Sequence, residues 1–211
     1  MNEKPRPALF RVRVNLVDSN PEIWRLIEID ADLTLSQVHT ALQAVMGWED
    51  RHLHDFEDLD PHTRWKPGQP EPRRWGPAYL VEDDERLIPE EDFTLREVLT
   101  QSRPLFYEYD LGDRWLHSII LIETLPKTST DHSVTVIRGE RRCPLEDSGG
   151  IDGYEELLHA IADPAHENHH DQVEWVTEMH GNPGHPFDPA IFDKNATNRT
   201  LRKLFPRGPR G

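Results

Sequence analysis

The sequence predicts an α+β fold: a mixed, largely antiparallel sheet built from two hairpins, with a helix packed after the first hairpin and a helical C-terminal third. Three observations lead there. Apolar and polar residues alternate from Phe10 to Leu16, the period of a half-buried strand, and a second strand pair flanks Leu111-Gly112-Asp113. Two capping boxes, Thr34 to Gln37 and Thr94 to Glu97, mark helix starts. Beyond Asp152 the pattern turns helical.

In chain order, Phe10, Val12, Val14 and Leu16 form one face of the first strand, and Ile23 to Ile29 returns after the turn composition Asp18-Ser19-Asn20-Pro21. Thr34 opens a helix whose apolar face is Leu35, Val38, Leu42, Val45 and Met46, and Gly47 supplies the left-handed cap. His52 to Leu59 reads as a third strand. Asp60 to Pro77 carries five prolines and reads as a long irregular loop, and the acids of Glu82 to Asp92 read as a solvated connection to the short helix at Thr94. Phe106–Asp110 and Arg114–Glu123 form the second hairpin around a tight turn at Gly112, and Val134–Ile137 adds a strand. Asp152 is placed as the cap of a helix over Tyr154–Ala162, and another helix runs from His169 to Met179.

The 211 residues and 24.6 kDa are read as one domain over 1–211, with the loop at about 60–77 and a basic, flexible tail at about 205–211. A chain of this length buries about 70% of its unfolded surface, enough to fold without a staple. Cys143 is the only cysteine, which rules out an intramolecular disulfide and a cysteine-based zinc ribbon and fits a reducing cytoplasm. The longest apolar run, Ile119–Ile122, is far short of the ~20 residues that cross a bilayer, and no signal-peptide core follows the N-terminus. The expectation is a soluble, cytoplasmic protein.

Net charge is −15, yet from Asn195 onward the charges are all basic: Arg199, Arg202, Lys203, Arg207 and Arg210. The acidic body repels nucleic-acid phosphates, and the basic stretch reads as a solvated tail.

Three segments carry a family resemblance. They are Ile23-Trp24-Arg25 through Met46-Gly47-Trp48 to His52-Leu53-His54-Asp55-Phe56; Phe106 to His117; and Cys143-Pro144-Leu145-Glu146-Asp147-Ser148-Gly149-Gly150 with Gly153-Tyr154-Glu155-Glu156 and Phe187-Asp188-Pro189. Their order and spacing, from about residue 9 to residue 200, resemble the plasmid pRiA4b ORF-three-like family, sometimes labelled TnpR-like passenger proteins of bacterial mobile elements. The resemblance implies a compact α+β fold with a mixed sheet; it does not imply an enzymatic mechanism. Family members often carry a second cysteine where this chain has Ser148, so a thiol pair is not available.

Candidate binding residues come from strand parity. A two-residue loop at Gly112 sets Glu108, Asp110, Trp115 and His117 on one face, and His52 and His54 share a face of the third strand. Adjacent strands would pool these imidazoles and acids into a patch suited to a metal or to acid–base work, with Asp110 or Glu108 as the carboxylate. The loop of Cys143, Glu146 and Asp147 completes the candidate surface, although its acids oppose a thiolate at Cys143. No residue is assigned as a metal ligand or catalytic group, and no cofactor is named. His166-Glu167-Asn168-His169-His170 matches the zinc-protease pattern literally, but Pro164 places its first histidine before the helix. Trp24, Trp48 and Trp115 are expected in the core. The reading is a non-enzymatic binding or accessory protein with an unknown ligand or protein partner; the alternatives are a metal-dependent enzyme with a His/carboxylate site and a DNA-acting recombination factor.

Overall fold

A computed structural model of the chain describes residues 6–66, 68–69, 71–82, 84–129, 131–180 and 187–206. Its elements are β1 (Ala8–Leu16), β2 (Trp24–Asp30), α1 (Leu35–Met46), β3 (His54–Glu57), β4 (Arg74–Gly76), α2 (Ala78–Val81), β5 (Leu87–Pro89), α3 (Leu95–Val98), β6 (Leu105–Tyr109), β7 (Trp115–Pro126), β8 (Val134–Glu140), α4 (Gly150–Ala162), α5 (His169–His180) and α6 (Lys194–Leu204). The strands form one sheet in the order β5-β4-β3-β6-β7-β1-β2-β8. Every described pair is antiparallel except β4 with β5. The α+β class and the two hairpins are as the sequence predicts.

Alternation decides which face of the sheet is apolar. Phe10, Val12, Val14 and Leu16 of β1 are buried, as are Ile27 and Ile29 of β2 and Tyr107, Tyr109, Trp115, His117 and Ile119 of the second hairpin. Helix α1 covers this face, and its apolar stripe joins the same core. Its ends are fixed by the residues that predict them. Thr34 and Gln37 close a capping box, and Gly47, at φ 100°, donates its N–H to Gln43 O at 2.8 Å. On the opposite face of the sheet Arg11 joins Glu28 and Glu123, each at 2.6 Å, and Arg13 joins Glu22 at 2.7 Å.

Several expectations need correction. Trp24 is not core: the parity of β2 turns it outward, where Arg13 lies 4.3 Å and Arg138 5.5 Å from its ring, while Arg25 is fully buried in its place. Arg25 donates to Val45 O, Trp24 O and Glu140 O and lies 3.7 Å from the Phe192 ring. A Cβ at Gly139 would stand 2.7 Å from Arg25 Cδ and 2.8 Å from Phe192, so this packing depends on glycine there. The proline-rich loop ends in β4, and the acidic connection contains β5 and a 3₁₀ turn at Glu90–Asp92. Helix α4 starts at Gly150, two residues before Asp152, because Gly149 in the left-handed region occupies the capping position.

The basic C-terminal stretch is also more than a solvated tail. From Lys194 to Leu204 it is α6, with Asp193 Oδ1 accepting from Ala196 N at 2.9 Å and Leu201 buried; Arg207 and Arg210 lie outside the described residues. Helix α6 lies on β8, the last strand of the sheet. There Asn198 Oδ1 accepts from Val136 N at 2.8 Å and Asn198 Nδ2 donates to Val136 O at 3.0 Å. The carboxamide thus supplies the pairing that a ninth strand would otherwise supply, and it blunts the edge. Asn198→Ala is expected to cost about 1–3 kcal/mol in denaturant unfolding. It should also promote concentration-dependent self-association in sedimentation; an unchanged midpoint would contradict the edge role.

Candidate functional site

The register of β6 against β7 organises the site. Tyr109 pairs with Trp115 and Tyr107 with His117, so the four rings point into the core and the connection is the stretch Asp110–Arg114 rather than a two-residue turn. Asp110 and Arg114 both adopt positive φ, and Arg114 N donates to Asp110 O at 2.6 Å. The expected common face for Glu108, Asp110, Trp115 and His117 is therefore corrected. Glu108 points to the opposite face, across from Asp55 in β3, where it pairs with Arg114 at 3.0 Å. Asp110 sits beyond the end of the ladder.

The histidines also separate. His117 is fully buried: its Nδ1 lies 3.2 Å from Tyr107 O and its Nε2 3.3 Å from Trp48 Nε1. The carbonyl can only accept and the indole can only donate, so the ring is neutral with its proton on Nδ1. His54 is buried in β3, stacked on His39 at 3.5 Å between ring centroids, with Nε2 2.9 Å from Glu90 Oε2. His39 continues into Tyr107 and Asp50 at 2.8 and 3.0 Å, and burial first, then the neighbouring His54, pushes its pKa down to about 4. Trp115 packs against Trp48, ring centroids 5.4 Å apart. Cys143 is buried, and burial pushes its thiol up to about 12, which removes it as a nucleophile at neutral pH.

Four of the candidate residues do come together: His52, Asp110, Glu146 and Asp147. His52 Nε2 lies 3.2 Å from Asp147 Oδ1 and 3.6 Å from both Asp110 Oδ2 and Glu146 Oε2. None of these approaches has the alignment of a hydrogen bond, so the nitrogen, which is closed off from solvent, has no hydrogen-bond partner among the described residues. One donor atom each from His52, Asp110 and Asp147 fits within a sphere of mutual separations below 4.8 Å.

Each carboxylate is held by its own supports. Asp110 Oδ1 accepts from Gly112 N at 2.9 Å and Asp113 N at 3.2 Å, which leaves Oδ2 to face His52. Glu146 Oε1 accepts from Glu49 N at 2.7 Å and from the Tyr109 hydroxyl at 3.1 Å, while that hydroxyl accepts from Arg51 N at 2.9 Å. Burial raises the Glu146 pKa, and these donors act against the rise. The 143–149 loop is fastened to the hairpin turn by Gly149 N donating to Asp113 Oδ2 at 2.8 Å, and a Cβ on Gly150 would meet Asp113 O at 2.7 Å. Beside the cluster lies a cleft of about 430 Å³ whose lining includes Arg51, His52, Tyr79, Asp110 and Leu111.

Residues 8–196 match the family described as Plasmid pRiA4b ORF-3-like protein. The chain belongs to that family. It is 33% identical over 173 residues, 80% of each sequence, to the uncharacterised protein y4hQ of Sinorhizobium fredii (strain NBRC 101917 / NGR234). It is also similar to the crystal structure of a protein of unknown function from Methanosarcina mazei Go1, with a TM-score of 0.75 and 31% identity over 90% of this chain and 97% of that one. Neither relative has a described activity, so the comparisons carry the family and the fold and leave the activity to the site itself. Among the described residues no helix is long and apolar enough to cross a membrane.

Sequence reasoning passes over the supports. Tyr109 lies inside the expected strand Phe106–Asp110, where nothing in the local pattern signals that its hydroxyl meets Arg51 N and Glu146. Glu90 sits in an acidic run that reads as solvated, yet it is buried against His54. The His-Glu-x-x-His stretch is not a zinc helix: α5 begins at His169, after the first histidine of the motif. His166 instead approaches Glu156 at 3.2 Å.

Burial first lowers the His117 pKa, from an ordinary 6.5 to about 4. A base depressed in the folded state contributes stability in full above about 6.5, and that contribution is lost as pH falls through 4. Glu57, raised by burial to about 7, acts in the opposite sense, so the two are separated only at single sites. Nitrogen NMR of the His117 imidazole is expected to show the neutral Nδ1–H tautomer at pH 6 and no midpoint above about 5; a midpoint near 6.5 would contradict the burial argument.

Proposed function

We propose that this chain is a binding protein, an accessory factor of the kind carried by bacterial plasmids and mobile elements, and that its ligand is cationic and docks where the β6–β7 turn meets the 143–149 loop. It works in the cytoplasm, a reading supported by its single, buried cysteine. One observation carries the proposal. Carboxylates from two distant segments, Asp110 on the hairpin and Glu146 and Asp147 on the loop, face one imidazole nitrogen that has no hydrogen bond of its own among the described residues. Like charges gathered at this spacing repel one another, and a cation relieves the repulsion.

The adjoining cleft supports a ligand larger than a proton. Leu111 and Tyr79 supply exposed apolar surface at its rim, and Asp50 adds a further acid. The overall −15 charge raises the local concentration of cations and disfavours phosphate-rich partners.

Binding is tested by calorimetry with spermidine, with arginine, with divalent metal chlorides and with inorganic phosphate at physiological salt. At least one cation should bind at one equivalent, phosphate should not, and the double change Asp110→Asn with Asp147→Asn should weaken the cation at least tenfold. Equal binding by the double variant, or preferential binding of phosphate, would overturn the reading.

A further inference from the structure

We infer that His52 Nε2, Asp110 Oδ2 and Asp147 Oδ1 form a three-donor seat for a divalent transition-metal ion of the zinc class, with one coordination position open toward the cleft. The inference rests on the cationic reading above and narrows it to one kind of cation.

Spacing makes the distinction. Zinc–nitrogen and zinc–oxygen bonds of about 2.0–2.2 Å place the donors of a tetrahedral site about 3.3–3.6 Å apart. The imidazole nitrogen stands 3.2 Å from Asp147 Oδ1 and 3.6 Å from Asp110 Oδ2. An ammonium group that hydrogen-bonds its acceptors at about 2.8 Å needs them roughly 4.6 Å apart, so His52 lies too close to both carboxylates for an organic amine to enter between them. The donor types agree with the spacing. One imidazole with carboxylates suits zinc, manganese or iron, whereas calcium and magnesium favour sites made wholly of oxygen.

The surroundings resemble those of a built metal site. The second oxygen of Asp110 is already taken by two backbone N–H groups of its own turn, which aims Oδ2 at the centre. Glu146 Oε2 stands 3.6 Å from the same imidazole nitrogen, and Glu146 is held in place by Glu49 N and Tyr109, so a further carboxylate stands beside the seat. The donors come from the lead-in to β3, the hairpin turn and the loop before α4, so an ion would tie together segments far apart in sequence. His52 and Asp110 also line the neighbouring cleft, which gives the open position access to a small ligand.

Full-length protein stripped with chelator is titrated with zinc chloride by calorimetry and with cobalt chloride by visible absorption. One equivalent of zinc should bind, and cobalt should give the intense bands of a tetrahedral complex. His52→Ala and Asp147→Asn should each weaken zinc at least tenfold, with far-UV circular dichroism unchanged. His170→Ala, an exposed residue of the His-Glu-x-x-His stretch, should bind as the parent does. Asp147 is largely exposed, so its variant tests the seat even if His52→Ala misfolds. Absence of zinc and cobalt binding while spermidine binds would overturn the metal seat and leave the cationic reading standing. Absence of any cation binding would overturn both. Zinc binding that survives His52→Ala and Asp147→Asn would place the ion elsewhere and overturn the seat.

Discussion

One phenolic oxygen at the end of β6 holds three chain segments together. The Tyr109 hydroxyl accepts the N–H of Arg51 and donates to Glu146, and Glu146 accepts the N–H of Glu49. The lead-in to β3, the second hairpin and the 143–149 loop therefore meet at a single buried point. Burial raises the hydroxyl's pKa, so it stays protonated and remains a donor. Without that bond the loop would keep its link through Asp113 and Gly149, but Glu146 would lose its donor from β6 and His52 its fixed neighbour. A buried carboxylate with fewer donors is costly, and for that reason the arrangement is cooperative rather than a set of independent contacts.

The same register that places Tyr109 divides the chemistry of the sheet. Inward, Tyr107, Tyr109, Trp115 and His117 make a buried aromatic layer, and His39 and Gln43 of α1 reach it at the Tyr107 hydroxyl. On the other face, Asp55 and Glu108 stand opposite one another across β3 and β6, with Glu57 close by. This second acidic group is neutralised from within: Arg74 reaches Asp55 at 2.5 Å, Glu57 at 2.8 Å and Asp84 at 3.2 Å, and Arg114 covers Glu108. The contrast isolates what is unusual about the His52 cluster. Its acids have backbone and hydroxyl donors, but no arginine or lysine pairs with Asp110, Glu146 or Asp147 among the ion pairs of the described residues. Arginines hold the Asp55 group in ion pairs, and the lack of such a partner at the His52 cluster is what supports the proposed cationic ligand.

Much of this was legible in the sequence, and the reasons differ by element. The hairpins and α1 declare themselves because alternation, capping boxes and Gly47 all agree, and the four residues of the cluster belong to segments that the family resemblance already singles out. Parity failed at the second hairpin because it assumes the shortest turn. Residues 110–114 make a wider one, which reverses Glu108 and sends Trp115 and His117 inward. Helix α6 was hidden by composition: only Ala196, Leu201 and Leu204 are apolar in it, so its charges dominate the pattern although Leu201 and Asn198 do the anchoring. Arg25 and Glu90 were unreadable for a common reason. A charged residue at a buried position is stabilised by partners distant in sequence, and a local pattern contains no trace of them.

Tyr109 and Glu146 act as one unit in bringing the loop to the hairpin. A double-mutant cycle on unfolding free energy, with Tyr109→Phe, Glu146→Gln and the pair, measures that coupling directly. An interaction energy of about 1–3 kcal/mol is expected, and effects that add within about 0.3 kcal/mol would overturn the coupling.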